Sequence, residues 1–363
     1  MFTNSLFFRW LAIFLLIIPV LLSCGGSGEE EYPAGSTSST GPGTVAVFIT
    51  DNISFYKQVI ATVNSVSLVN SGTMTVCTIL KTPATLDLSN LTNVAQFVDA
   101  ADCPSGLYNS IDIGFQRDIQ LMDQNEETSA CRFTSYLGEN HQQVTLSCDS
   151  NGVCRMSIRG AVRQGAVQVL PGRTSNLGID FDLKQFTVTG FGDSACSVAM
   201  KVYSVDAASL NNSGRAHGVT GNIANLNVSA KTFSLSRAGR SFIVDYSAII
   251  PALQPGIDTL LQTAVANGLK VKVLGSSINL SANTIAASRI FVKVEGSVSD
   301  LLKQPKWTFS LMAMQMSYRP PAVIDGELKN GAWVAVTLDG YDPLPGYQVS
   351  RAEVLPSGMI IED

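Results

Sequence analysis

From Thr44 onward the chain is cut into short apolar runs. Each is closed within a few residues by Asn, Asp, Gly or Ser, a punctuation that favours β-structure over long helices. Val45-Ala46-Val47-Phe48-Ile49-Thr50 reads as a strand stopped by Asp51-Asn52. Gln58 to Val69 alternates and breaks at Asn70-Ser71-Gly72, and Thr73 to Leu80 is a third strand. Tyr108 to Phe115 alternates again, and further strands are expected over 131–137, 142–148, 153–159, 166–170, 174–182 and 196–205. Leu86 to Ala100 carries Leu88, Leu91, Val94 and Phe97 or Val98 at helical spacing and predicts a short helix. The fold class is therefore all-β, with an antiparallel β-sandwich over residues 45–210.

The cysteines confine the cross-links to that stretch. Of seven, Cys24 stands apart, and Cys77, Cys103, Cys131, Cys148, Cys154 and Cys196 remain. An even set in an exported chain reads as three disulfides. Cys77 with Cys103 is the first expected pair. Cys131 and Cys148, symmetric about Glu139-Asn140, are expected opposite each other in a hairpin, which leaves Cys154 with Cys196. The rival is Cys148 with Cys154 across the Asp149-Ser150-Asn151-Gly152 turn. A thiolate metal site would want CxxC pairs and neighbouring histidines, which the sequence lacks.

Cys24 has a different reading. Arg9 precedes an almost wholly apolar run from Trp10 to Leu22, about 20 Å long as a helix and short of the roughly 20 residues a stable span needs. This is the core of a signal peptide, residues 1–23. Leu21-Leu22-Ser23-Cys24 resembles the lipobox of bacterial lipoproteins. The resemblance implies cleavage before Cys24, diacylglycerol on its thiol and an acyl chain on its amine, with no other cofactor. Residues 24–44, rich in Gly, Ser, Thr and Glu, read as a flexible tether. Gly25 stands where Asp would favour retention in the inner membrane, so the resemblance implies the outer membrane.

The C-terminal part repeats itself. Lys231-Thr232-Phe233-Ser234-Leu235 parallels Trp307-Thr308-Phe309-Ser310-Leu311. Gly268 to Val273 parallels Gly331 to Val336, and Ala287-Ser288-Arg289-Ile290 parallels Val349-Ser350-Arg351-Ala352. The repeated order resembles that of OB-like domains and implies two small β-barrel modules, 216–296 and a shorter 297–363, the first holding a helix from Ile257 to Ala266. They are expected to pack as two modules or as one unit.

Three motifs recur in order: Thr50-Asp51 after the first strand, Pro104-Ser105-Gly106-Leu107-Tyr108 before a later one, and Asp180-Phe181-Asp182-Leu183. They resemble the N-terminal domain of a family of bacterial lipoproteins of unassigned function, over about residues 45 to 210. The resemblance implies a sandwich of the transthyretin or carbohydrate-binding kind, followed by OB-like domains of unknown function. The six cysteines depart from that family's usual pattern.

Little in the sequence points to catalysis. The two histidines, His141 and His217, read as exposed loop residues, and no G-x-S-x-G elbow occurs. Asp180 and Asp182 share a strand face and, with Asp51, are the candidates for a calcium site; the plainer expectation is no metal, with these carboxylates facing solvent or capping loops. Trp307 and Trp333 are expected in the core. Charged residues are 15% of the chain, well below the ordinary quarter, and the net charge of −5 argues against nucleic acid as a partner. The sequence thus predicts a non-enzymatic, lipid-anchored protein of the cell envelope. Its expected partners are the bilayer, through the anchor, and an envelope protein or glycan. The alternative is a carbohydrate-binding module protein, with or without calcium.

Overall fold

The computed structural model describes residues 41–51, 54–137, 142–159, 167–206, 209–210, 214–303, 306–344 and 346–362. The residues read as a signal peptide, Cys24, the expected tether up to residue 40 and His141 lie outside the described residues; the end of that expected tether, Gly43 and Thr44, already belongs to a strand. Among the described residues no helix is long and apolar enough to cross a membrane.

The opening strand, Gly43–Asp51, organises the rest. Its run from Val45 to Ile49 is buried on both faces. Val45, Val47 and Ile49 enter one core, while Ala46 and Phe48 enter another. A strand covered on both sides has no polar positions to spare, and that is why this segment reads as a continuous apolar run. It pairs in parallel with Thr174–Phe181 and antiparallel with Val94–Cys103.

The first core lies against a second sheet, built around Gln58–Asn70, Ser110–Gln116 and Thr128–Leu137, in a sandwich-like stack. The all-β expectation holds; the expectation of purely antiparallel pairing does not. Besides the opening strand, Ser197–Met200 runs parallel to Thr128–Leu137. Parallel neighbours of this kind require the chain to cross from one sheet to the other before returning.

The helix expected over Leu86 to Ala100 is replaced by a strand, Ala84–Asp87, one turn of 3-10 helix, Leu88–Leu91, and the strand Val94–Cys103. The leucine spacing was real, but Asp87 stops the first strand by accepting the Ser89 N–H at 3.1 Å. Phe97 and Val98 then go to opposite cores, which only a strand permits.

Two of the expected disulfides are also corrected. Cys77–Cys103 forms, but the others are Cys131–Cys196 and Cys148–Cys154, not Cys131–Cys148 and Cys154–Cys196. The hairpin after Leu137 pairs from Gln143 with Leu137 to Thr145 with Ser135, and the Leu146 N–H still reaches the Thr134 carbonyl at 2.9 Å. The chain then leaves it, so that Cys148 faces Cys154 across a turn in which Asp149 Oδ1 accepts the Asn151 and Val153 N–H groups. The parallel register of Ser197 with Arg132 brings Cys196 beside Cys131.

The first sheet continues through Val94–Cys103 into Ala216–Asn227, again in parallel. There five strands close on themselves. Ala216–Asn227 pairs Thr232–Arg237, which pairs Arg240–Asp245; this runs parallel to Thr284–Ser297, which pairs Lys270–Asn279, and that strand returns to the first. A helix, Ile257–Asn267, bridges the third and fourth strands and buries Ile257, Leu260, Leu261 and Ala264. A second ring shares Thr284–Ser297. It pairs Trp333–Asp342, then Gly346–Val354, which runs parallel to Met314–Asp325; that strand pairs Thr308–Leu311, which pairs Ser299–Leu302, the segment that follows the shared strand in sequence. The long shared strand spans the expected module boundary near residue 296, and one core joins both rings to Phe48 and Phe97.

Candidate functional site

The parallel pair of Gly43–Asp51 and Thr174–Phe181 ends with both C-termini together. That places Thr50 opposite Asp180 and Asp51 opposite Phe181, so the carboxylates singled out in the sequence do gather at one end of the sandwich. They are buried rather than solvent-facing. Asp51 Oδ1 accepts the Leu183 N–H at 3.0 Å and ties down the short turn that follows the partner strand. Asp182 Oδ2 accepts from the Gln185 side chain at 2.5 Å, which also donates to the Tyr203 hydroxyl at 3.0 Å. Arg215 crosses from the start of the first ring and donates to the carbonyls of Asp51, at 2.9 Å, and Thr92, at 3.3 Å.

Asp180 is the chemically distinctive member. Burial pushes its pKa up to about 6, with Asp182 adding to the rise and Arg215 opposing it. Among the described residues no three His, Cys, Asp or Glu side chains come together as a metal site.

His217 is corrected outright. It lies in a strand, 2% exposed, with Phe48 edge-on at 5.4 Å and Nδ1 3.1 Å from the Ser276 carbonyl. Burial pushes its pKa down, so the ring is held neutral.

A second charged cluster escaped the sequence. Arg351 Nη2 reaches Asp325 at 2.7 Å and Asp87 at 3.7 Å, and its Nε reaches Glu353 at 3.2 Å. Asp87 belongs to the sandwich, whereas Asp325, Arg351 and Glu353 sit on adjacent parallel strands of the second ring. Asn90 donates to Glu353 Oε1 at 3.1 Å across the same junction. Burial works to raise the Glu353 pKa, but Arg351 and Lys293 outweigh it and hold the carboxyl below its ordinary value. Asp325 is raised by burial despite Arg351. The available signal was Arg351 and Glu353 two apart on one face of the strand Gly346–Val354, a face that had to meet something polar.

A groove of about 430 Å³ opens at the far end of the second ring, lined by Gln315, Tyr341, Pro343, Leu344, Gly346 and Tyr347. The two tyrosine rings lie 5.0 Å apart at 54°, and the Tyr347 hydroxyl is 2.9 Å from that of Thr263. Trp307 and Trp333 are half-buried: one ring lies 6.1 Å from Tyr318, and the other donates its N–H to the Met359 carbonyl at 3.1 Å.

Residues 42–196 match the family model of DUF4382, a domain of unknown function. No curated protein matches the chain.

Proposed function

We propose that the chain, which carries this domain ahead of its two strand rings, is a non-enzymatic binding or scaffolding protein of the cell envelope, anchored through lipid on Cys24. The observation that carries the reading is the unbroken sheet. It joins the sandwich to both rings through the strands Val94–Cys103 and Ala216–Asn227, and through the shared strand Thr284–Ser297. A body of that construction presents its loops and edges in fixed relation to one another. The charged clusters support the same reading, since Arg351 and Arg215 are spent holding one part of the chain to another. The closed five-strand circuit of the first ring, with Arg240–Asp245 parallel to Thr284–Ser297, and the matching parallel pair of Met314–Asp325 and Gly346–Val354 in the second support the reading of both rings as OB-like modules.

The test is Cys24→Ser. The variant should leave the membrane fraction and lose labelled palmitate while keeping its unfolding midpoint. Retention in the membrane with the label intact would sink the anchoring.

A glycan is the ligand class that the Tyr341–Tyr347 groove favours, because paired aromatic faces beside hydroxyl and amide groups suit a sugar ring. A glycan array should give hits that Tyr341→Ala abolishes; an array with no hits, with and without calcium, removes this reading.

A further inference from the structure

The sandwich has two chemically different ends. The carboxylates Asp51, Asp180 and Asp182 mark one. The other is where the chain enters: Gly43 pairs with Cys103, and the Pro42 carbonyl accepts the Gly172 N–H at 2.9 Å. Around that entry stand Met74, 80% exposed, Val76, 58%, Leu107, 56%, and Leu170, 38%.

The chain's own bonds draw these side chains together. The turn bearing Met74 is held to the segment bearing Leu107: Asn70 donates to the Leu107 carbonyl at 2.8 Å, and the Ser71 N–H reaches Asn109 Oδ1 at 3.0 Å. Gly106–Tyr108 pairs with Val167–Val169, which leads directly into Leu170. Four large apolar side chains gathered at one tip are more than the scattered exposure that needs no explanation. The exposed Arg159 and Arg173 flank the tip, one paired with Ser110 and the other beside the entry of the opening strand.

We propose that this apolar tip seats in the interfacial layer of the bilayer to which the chain is anchored, with the carboxylate end pointing away. The inference rests on lipid being carried by Cys24. The chain that follows Cys24 joins the described residues at Gly41 and enters the opening strand at Gly43, at the tip itself. A coil of about 20 residues spans roughly 25 Å, so the anchor delivers the tip to the headgroups at high effective concentration. Contact that would be marginal for a free protein then becomes the resting state. Apolar side chains flanked by cations are the composition that interfacial binding uses.

The experiment places a reporter at each end. Phe55, 68% exposed, lies beyond the far end of Gly43–Asp51, close to 30 Å from the tip at about 3.3 Å per residue. The full lipid-bearing chain is reconstituted in phosphatidylethanolamine–phosphatidylglycerol vesicles with brominated acyl chains. Emission from Leu107→Trp and Phe55→Trp is then compared with that of the parent, which carries Trp307 and Trp333. Seating predicts that the added emission of Leu107→Trp falls at least twofold, while that of Phe55→Trp is unchanged. Equal quenching of both, or of neither, overturns it. Mass spectrometry of the N-terminal peptide separates the two claims: an unmodified Cys24 sinks the anchoring itself, whereas a lipid-bearing chain with unquenched Leu107→Trp sinks only the seating. Concentration-dependent dimerisation of the Cys24→Ser chain, abolished by Leu107→Ser, would assign the tip to a second copy and overturn the proposal.

Discussion

Asp180 shows how a single carboxylate records its surroundings. In the unfolded chain it ionises near 3.8, and in the fold near 6. The folded state therefore binds the proton more tightly, and the group's contribution is complete below about pH 4 and lost as pH rises through 6. A shift of that size corresponds to about 3 kcal/mol. Asp180→Asn lacks the titration. Relative to the parent, its unfolding free energy should rise by about 2–3 kcal/mol between pH 4 and pH 7.5, as followed by urea unfolding. A difference that stays constant across that range would show that the carboxyl is not held protonated by burial. The type and spacing of Asp180 and Asp182 were legible in the sequence; their burial was not, because it depends on distant segments meeting at the strand ends, among them Arg215, 35 positions on from Asp180, which bonds the Asp51 and Thr92 carbonyls there.

At the level of elements, the strand Gly346–Val354 does two jobs. Ala352 enters the core of the rings, while Arg351 and Glu353, on the opposite face, meet the sandwich. Arg351 stands among three carboxylates, of which Asp87 and Glu353 are fully buried. Breaking a buried pair costs more than making it gains, since the surviving charge keeps its desolvation penalty. Arg351→Met should therefore cost about 3–5 kcal/mol at pH 7 by chemical denaturation. The loss should shrink as pH falls below the ordinary carboxylate range, where the Glu353 carboxyl, held low by Arg351 in the fold, takes up its proton and no longer needs the cation. A loss under 1 kcal/mol at neutral pH would mean that the cluster is solvated and pins nothing.

The disulfides carry a related lesson. Cys148–Cys154, spanning 6 residues, was readable as a rival from its turn alone. Cys131–Cys196, spanning 65, required the parallel pairing of two strands far apart in sequence.

Across the whole molecule, residues 40–363 form one compact unit. The outer face of the sandwich's first sheet is itself core: Ala46, Phe48, Ala95 and Phe97 pack with Val219, Phe242 and the residues of the rings. Neither part can open without exposing the other's apolar surface. Calorimetry should accordingly show one transition, with calorimetric and van't Hoff enthalpies in agreement. Two resolved transitions would mean that the shared core does not couple the parts.

The strand pattern, the repeat of the last 150 or so residues, the helix starting at Ile257 and the confinement of the disulfides to residues 77–196 followed from the sequence, because period-two alternation, turn residues and cysteine count act over a few positions at a time. The parallel crossings, the buried state of His217, the Arg351 cluster and the apolar tip at the chain entry were decided by tertiary structure. Each depends on which distant segments become neighbours, and a local apolar or charged pattern says that a residue needs company without saying whose.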